Sequence, residues 1–281
     1  ARVRSPLTYV DRINARGVAI MVGNSYQDNL FPPNQMVEFY EKLTGPKMFY
    51  MDDGVHAVSA VPGLFGLPNE VWTYAHAWFD QHLLGKDSEV TKRPPVSFGT
   101  AHGREFYQQI PKPTSAETAV FKLTTLNTLV PKDGSGSKEG VPQTVIRLIG
   151  NIDSAATSGI PIVSDATDAY LRIPVLQALG LINKNHAALY VSEPVAMISR
   201  IRGAPRVTTH VEPHRTPIQM AVYLYDVDRF NIGRLITHGV FSRFEPNTDP
   251  AVIAVELFMT SYNLPAGHRI AVAIDTRDPL Y

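Results

Sequence analysis

The sequence predicts a chain of two unlike parts: a segment of a doubly wound α/β sheet over residues 1–92, then an all-β, jelly-roll-like sandwich over residues 93–281. Three observations carry this. Residues 18–84 alternate between short apolar runs and longer stretches with helical spacing, which is strand–helix–strand–helix grammar. Beyond Pro94-Pro95 the segments shorten to strand length and alternate apolar with polar residues. Clusters of Gly, Pro, Asn and Asp separate them, as in all-β domains.

In the first part, Val18 to Val22 (VAIMV) is a continuous apolar run closed by Gly23, the pattern of a strand buried on both faces. Pro32-Pro33 opens a helix in which Met36, Val37, Phe39, Tyr40 and Leu43 form an apolar stripe; Gly45-Pro46 stops it. Lys47 to Met51 is a second short strand, ending in the polar turn Asp52-Asp53-Gly54. After a Gly/Pro-rich loop from Val61 to Pro68, a helix runs from about Asn69 to Leu84. Val71, Ala75, Trp78 and His82 share one of its faces, Trp72, Trp78 and Phe79 read as core anchors, and Gly85 sits past the end as a cap. These elements alone do not cover the strand at 18–22. Residues 1–92 are therefore expected to pack against a further polypeptide.

In the second part, strands are expected at 118–124, 144–149, 220–227, 251–259 and 268–275. Within one of them Met220, Val222 and Leu224 face opposite to Ala221, Tyr223 and Tyr225, the period of two that a strand imposes. The Gly/Ser-rich stretch at 133–140 reads as a surface loop, because strand-like sequence flanks it.

Composition removes several function classes. Lys plus Arg and Asp plus Glu number 26 each, so net charge offers no attraction for nucleic acid or an anionic membrane surface. There is no cysteine, which excludes disulfides, thiolate metal sites and a cysteine nucleophile. No apolar run approaches the roughly 20 residues of a membrane helix. No signal-peptide pattern is visible, and a soluble protein is expected, cytoplasmic or secreted from a bacterium. The chain opens on Ala1 and reaches a core-like strand at once, so further sequence is expected upstream.

Two residues at strand ends carry chemistry. Asp28 follows the first strand and His56 follows the second. In open α/β sheets, catalysis gathers outside the carboxyl ends of the strands, where these two side chains can meet. A histidine there can take a proton from a nucleophile and return it, while a carboxylate fixes its tautomer and stabilises the imidazolium. In chains of this type the nucleophile precedes the acid and the histidine, which places it upstream of Ala1. The competing reading has Asp28 capping the helix that follows and His56 as an ordinary loop residue.

The wording around these residues resembles the C-terminal part of the catalytic domain in the X-Pro dipeptidyl-peptidase and cocaine esterase group of α/β-hydrolases. The landmarks are Asp28, Phe31-Pro32, Gln35, Gly54-Val55-His56, and the helix end Trp78 to Gly85 (WFDQHLLG). Pro94-Pro95-Val96 resembles the start of that family's C-terminal sandwich. Ser192-Glu193-Pro194, Gly203-Ala204-Pro205, Leu224 to Val227 with Gly233, and Ala266 to Ile270 (AGHRI) follow in order. The resemblance implies a serine hydrolase of esters, amides or short, Xaa-Pro-type peptides, with Asp28 and His56 as two members of a Ser-His-Asp triad. It implies no cofactor and no metal. It also implies a partner, the N-terminal, serine-bearing portion of the same hydrolase. That portion would hold the nucleophile elbow, the oxyanion hole and the acyl pocket, so the substrate-binding residues and oligomeric state are left open, and the chain reads as trimmed at both ends. The alternative is a non-catalytic β-sandwich module that binds a carbohydrate or protein and carries a remnant of the hydrolase sheet.

Other candidates are weaker. Ser25 begins a nucleophile-like Gly23-Asn-Ser25 but lacks the closing glycine of an elbow and falls in the acid loop. Asp226, Asp228, Asn231 and Gly233 do not have EF-hand spacing and read as a polar hairpin. His210 and His214 flank Pro213, which argues against the helix that would pair them on a metal. His76 and His82 read as packing or surface residues, and His268 as a structural hydrogen-bonding residue.

Overall fold

A computed structural model describes residues 2–56, 60–100, 103–112, 118–124, 127–131, 146–150, 152–159, 164 and 174–281. The chain divides into two compact units, the first running through Lys112 and the second holding the strands from Phe121 onward.

The first unit contains α1 (Val10–Arg16), β1 (Ile20–Gln27), α2 (Pro33–Lys42), β2 (Lys47–Val55), α3 (Val61–Leu64), α4 (Glu70–Leu84), β3 (Val96–Thr100) and β4 (Gly103–Tyr107). Its sheet has the order β1-β2-β3-β4. β1, β2 and β3 are parallel, and β4 turns back antiparallel on β3. Alternation along β2 explains the two layers of helix. Met48 and Tyr50 point to one face and pack with Tyr74 and Trp78 of α4. Phe49 lies against the other face, its ring 5.0 Å from Tyr40 of α2 and 6.3 Å from Phe98 of β3. Phe49 and Met51 are completely buried, worth roughly 1.5–3 kcal/mol each in apolar transfer.

The helix ends follow from their sequences. Asn69 accepts from the backbone N–H of Trp72, and Gly85 takes the left-handed φ of +66° that closes α4. At the end of α2, Lys47 donates to the carbonyls of Tyr40 and Leu43 at 2.9 and 2.6 Å. This places a cation where the helix dipole is negative; burial pushes the Lys47 amine below its ordinary value.

Several expectations change. The first strand starts at Ile20, not Val18, and continues through Gly23 to Gln27. Asp52-Asp53-Gly54 is not a turn but the last stretch of β2. Tyr74, not His82, shares the buried face of α4 with Trp78; His82 is exposed and lies with its ring 4.1 Å from Trp78. Phe79 is exposed rather than a core anchor. The compact unit that holds these helices runs through Lys112, beyond the residue 92 expected for the first part, because β3 pairs with β2 and β4 with β3. β1 remains at the edge: among the described residues no strand pairs along its outer side.

The second unit is mostly β. A seven-stranded sheet has the order β5-β6-β8-β15-β11-β12-β7, formed by β5 (Phe121–Leu123), β6 (Thr128–Pro131), β7 (Leu176–Ala178), β8 (Ala187–Ser192), β11 (Ile218–Val227), β12 (Ile232–Arg243) and β15 (Arg269–Asp275). Two further pairs join β9 (Ser199–Gly203) to β14 (Thr260–Leu264) and β10 (Arg206–Val211) to β13 (Ala251–Glu256). The period of two in β11 divides two cores. Met220, Val222 and Leu224 pack with Ile253 and Val255 of β13, while Ala221, Tyr223, Tyr225 and Val227 pack with Leu179, Ile182 and Leu189. The strand expected at 118–124 is confined to Phe121–Leu123, and 251–259 to Ala251–Glu256. Residues 146–149 are not a strand, and the stretch at 133–140 lies outside the described residues.

The second of these cores contains a buried polar network. Tyr223 donates its hydroxyl to Asp278 at 2.7 Å, and Ser158 donates its N–H and hydroxyl to the same carboxylate, each at 2.9 Å. Ser154 donates to Asp275. Burial, reinforced by Asp278, pushes the Tyr223 hydroxyl far above its ordinary value. His238 is fully enclosed, its Nε2 3.0 Å from the Tyr281 hydroxyl, and burial pushes it down to about 4.

Candidate active site

Asp28 and His56 are the first residues past the ends of β1 and β2. The strands are parallel neighbours, and their last paired residues are Gln27 and Val55. An irregularity brings those ends level: Ser25 pairs with Asp52 and Gln27 with Val55, so β2 uses one residue more than β1 over that stretch. The two following side chains then meet. His56 Nδ1 donates to Oδ2 of Asp28 at 2.8 Å. Since an ionised carboxylate only accepts, Nδ1 carries the proton and Nε2 is the free basic nitrogen.

The carboxylate is fixed on its other side. Oδ1 of Asp28 accepts from the backbone N–H groups of Leu30 and Phe31 at 3.0 and 2.8 Å. Asn24 closes the same loop by donating to the carbonyl of Phe31 at 2.8 Å. The N–H groups that Asp28 engages precede α2, whose own N-cap is Pro32, so its role is to shape the acid loop rather than to cap that helix. The Phe31 ring lies 5.2 Å from the imidazole. Asp28 is 5% exposed at its side chain and His56 36%, so the pair has a sequestered acid and an accessible base. Among the described residues, Nε2 of His56 has no hydrogen-bond partner. The arrangement can hold one imidazole tautomer and stabilise its cation, which is what a general base requires.

Ser25 is buried within β1, and among the described residues it makes no hydrogen bond to His56. The Asp226 to Gly233 segment is the β11–β12 hairpin, where Asp228 accepts from the N–H groups of Phe230 and Ile232. His268 donates to Asp226 at 2.7 Å. His76, His210 and His214 are exposed. No group of three metal-ligating side chains occurs among the described residues. Sequence reasoning missed Asn24, which lies in no spacing pattern that marks a loop clasp.

Residues 88–281 match the sequence profile of a family described as the X-Pro dipeptidyl-peptidase C-terminal non-catalytic domain. Three solved structures share the fold. An alpha-amino acid ester hydrolase superposes with a TM-score of 0.68 at 17% identity, over 96% of this chain and 50% of that one. An aminopeptidase from a marine sediment archaeon, Thaumarchaeota archaeon, gives 0.61 at 12%, over 94% and 48%. A CocE/NonD family hydrolase from Staphylococcus aureus gives 0.60 at 9%, over 96% and 48%. The chain thus spans about half the length of each. No curated protein matches it by sequence.

Proposed function

The chain belongs to the X-Pro dipeptidyl-peptidase C-terminal domain family, and from that premise we propose that it is the acid–histidine and C-terminal portion of a serine hydrolase. The observation that carries the reading is the Asp28–His56 hydrogen bond at the level carboxyl ends of two parallel strands. The serine comes from a preceding segment of the same hydrolase, whose sheet continues along the free edge of β1. The seven-stranded sheet and the β9–β14 and β10–β13 pairs form a jelly-roll-like sandwich around their shared apolar cluster.

In this reading, Nε2 of His56 takes the hydroxyl proton as the serine oxygen attacks the carbonyl carbon of an ester or amide. Asp28 holds the ring and stabilises the resulting imidazolium. The histidine gives the proton to the departing alcohol or amine, leaving an acyl-enzyme. Water then repeats the sequence: its proton goes to His56, its oxygen to the acyl carbon, and the proton returns to the serine. The substrate class is a small acyl ester, an amide or a short peptide, including Xaa-Pro peptides. A second reading follows from the family's description as non-catalytic: the chain is a binding module with an inert hydrolase remnant.

One experiment separates them. In the longer protein, a fluorophosphonate should label one serine outside residues 1–281, and His56→Ala should abolish rapid labelling. Residues 1–281 alone should turn over no nitrophenyl ester. A labelled serine within this chain, or unchanged labelling in His56→Ala, would overturn the triad; a longer protein with no reactive serine would favour the binding module.

A further inference from the structure

The β3–β4 hairpin falls inside the segment matched to a domain described as non-catalytic, yet it completes the sheet that carries Asp28 and His56. It also delivers a nearly buried guanidinium, that of Arg104, whose side chain is 7% exposed. Nε and Nη2 of Arg104 donate to the two carboxylate oxygens of Glu70 at 3.0 and 2.9 Å. Nη1 donates to the backbone carbonyl of Met51 at 2.9 Å and to the Ser97 hydroxyl at 2.8 Å. Asp52 lies 3.8 Å away. The plane sits over the rings of Tyr50 and Tyr74, at 4.0 and 5.5 Å from their centroids. All three nitrogens are engaged, in the forked geometry that arginine provides and lysine does not.

The partners of Arg104 bracket His56. Met51 and Asp52 lie on β2 just before it, and Glu70 is the first residue of α4, just after its loop. A second contact of the hairpin acts on the same stretch. A Cβ at Gly99 would come within 3.0 Å of the Asp53 nitrogen and 3.1 Å of the Met51 carbonyl, so β3 runs against the end of β2 with no space for a side chain.

We propose that Arg104 is a positioning residue for His56: through Glu70 and Met51 it clamps both ends of the segment carrying the histidine, so the C-terminal family segment helps build the site. The proposal rests on the reading of Asp28 and His56 as the acid and base. Truncating such a clamp takes the guanidinium from the Met51 carbonyl on the buried side and from the more exposed Glu70 carboxylate, and so frees the loop, not only the local packing.

The test is proton NMR of the longer protein that contains residues 1–281, observing the low-field Nδ1–H signal of His56, assigned by its loss in His56→Gln. The corresponding signal of His268, bonded to Asp226, serves as an internal reference. Well below the unfolding temperature, Arg104→Met should lose the His56 signal and keep that of His268. Arg104→Lys should recover it only in part. Glu70→Gln, which retains an acceptor for the guanidinium, carries the same expectation in weaker form and serves if Arg104→Met does not fold. A purely structural role would lower the unfolding temperature while the His56 signal persisted in the folded variants, and that result would overturn the proposal. Absence of the signal in the unaltered longer protein, with that of His268 present, would instead overturn the Asp28–His56 pair itself, and the proposal with it.

Discussion

The two units each contain an aspartate–histidine pair, and by bond geometry alone the pairs are hard to tell apart. Asp28 and His56 meet at 2.8 Å, Asp226 and His268 at 2.7 Å. Both carboxylates are 5% exposed, and the imidazoles are 36% and 32% exposed. Their settings differ. The second oxygen of Asp28 is held by two backbone N–H groups in a loop at the ends of parallel strands. That of Asp226 is held by the Tyr262 hydroxyl at 2.7 Å, from within β11 of an antiparallel sheet. His268 also bonds through its own backbone to Pro265 and Val195, which ties it into the turn before β15. An imidazole braced by a carboxylate is therefore not a sign of catalysis by itself. What differs is the place: strand ends in an α/β sheet collect reacting groups, whereas the end of an antiparallel sheet closes a core.

Mutation should pull the pairs apart. On the proposed triad, in the longer protein His56→Ala is expected to lower kcat about 10⁴-fold or more, whereas His268→Ala leaves it within a few-fold, measured on a nitrophenyl ester. Equal losses would make the two pairs functionally alike and break the contrast.

A third histidine supplies the next largest effect. His238, held neutral by burial at about 4, binds a proton in the unfolded chain below its ordinary 6.5. The unfolded state therefore holds more protons between those values. Stability is full above pH 6.5 and falls by an amount on the order of 3 kcal/mol as pH drops toward 4. Asp275, pushed up by burial, acts with the opposite sign just above the ordinary carboxylate range. The diagnostic is thus the difference between the unaltered chain and His238→Gln in urea unfolding across this interval. Parallel pH profiles would remove His238 as the cause.

The smallest effect is a stability contrast. Asp226→Ala removes the carboxylate that accepts from both Tyr262 and His268 and should cost about 1–3 kcal/mol. His56→Ala, at a part-exposed site whose acid keeps two backbone donors, should cost less than about 1 kcal/mol. Urea midpoints of the two variants would reverse that order if Asp28–His56 were the structural pair.

Much of this was legible in the letters. Apolar runs and Gly/Pro punctuation located β1, α2, β2 and α4, and alternation in Met220 to Asp226 sorted side chains between two cores. Asp28 and His56 were readable because strand-end position is a local property. What escaped depends on pairing between distant segments. Nothing in Val96 to Tyr107 says that β3 joins β2, with β4 behind it, rather than the later strands, since strand pattern does not name a partner. Phe79 looked like an anchor because its type is apolar, but the rotation of α4 turns Tyr74 and Trp78 inward instead. The burial of His238 and Arg104 likewise comes from neighbours far along the chain.

The extra residue of β2 opposite Ser25 and Gln27 has a consequence for how this region can change over generations. Successive strand residues point to opposite sides, so gaining or losing one residue between Met51 and His56 would turn the imidazole toward the wrong layer. Many replacements of one letter by another in that interval would leave the meeting with Asp28 intact. Heredity here is expected to guard a length more strictly than a spelling. Across related lineages, gaps should be rarer between Met51 and His56 than exchanges of residue type.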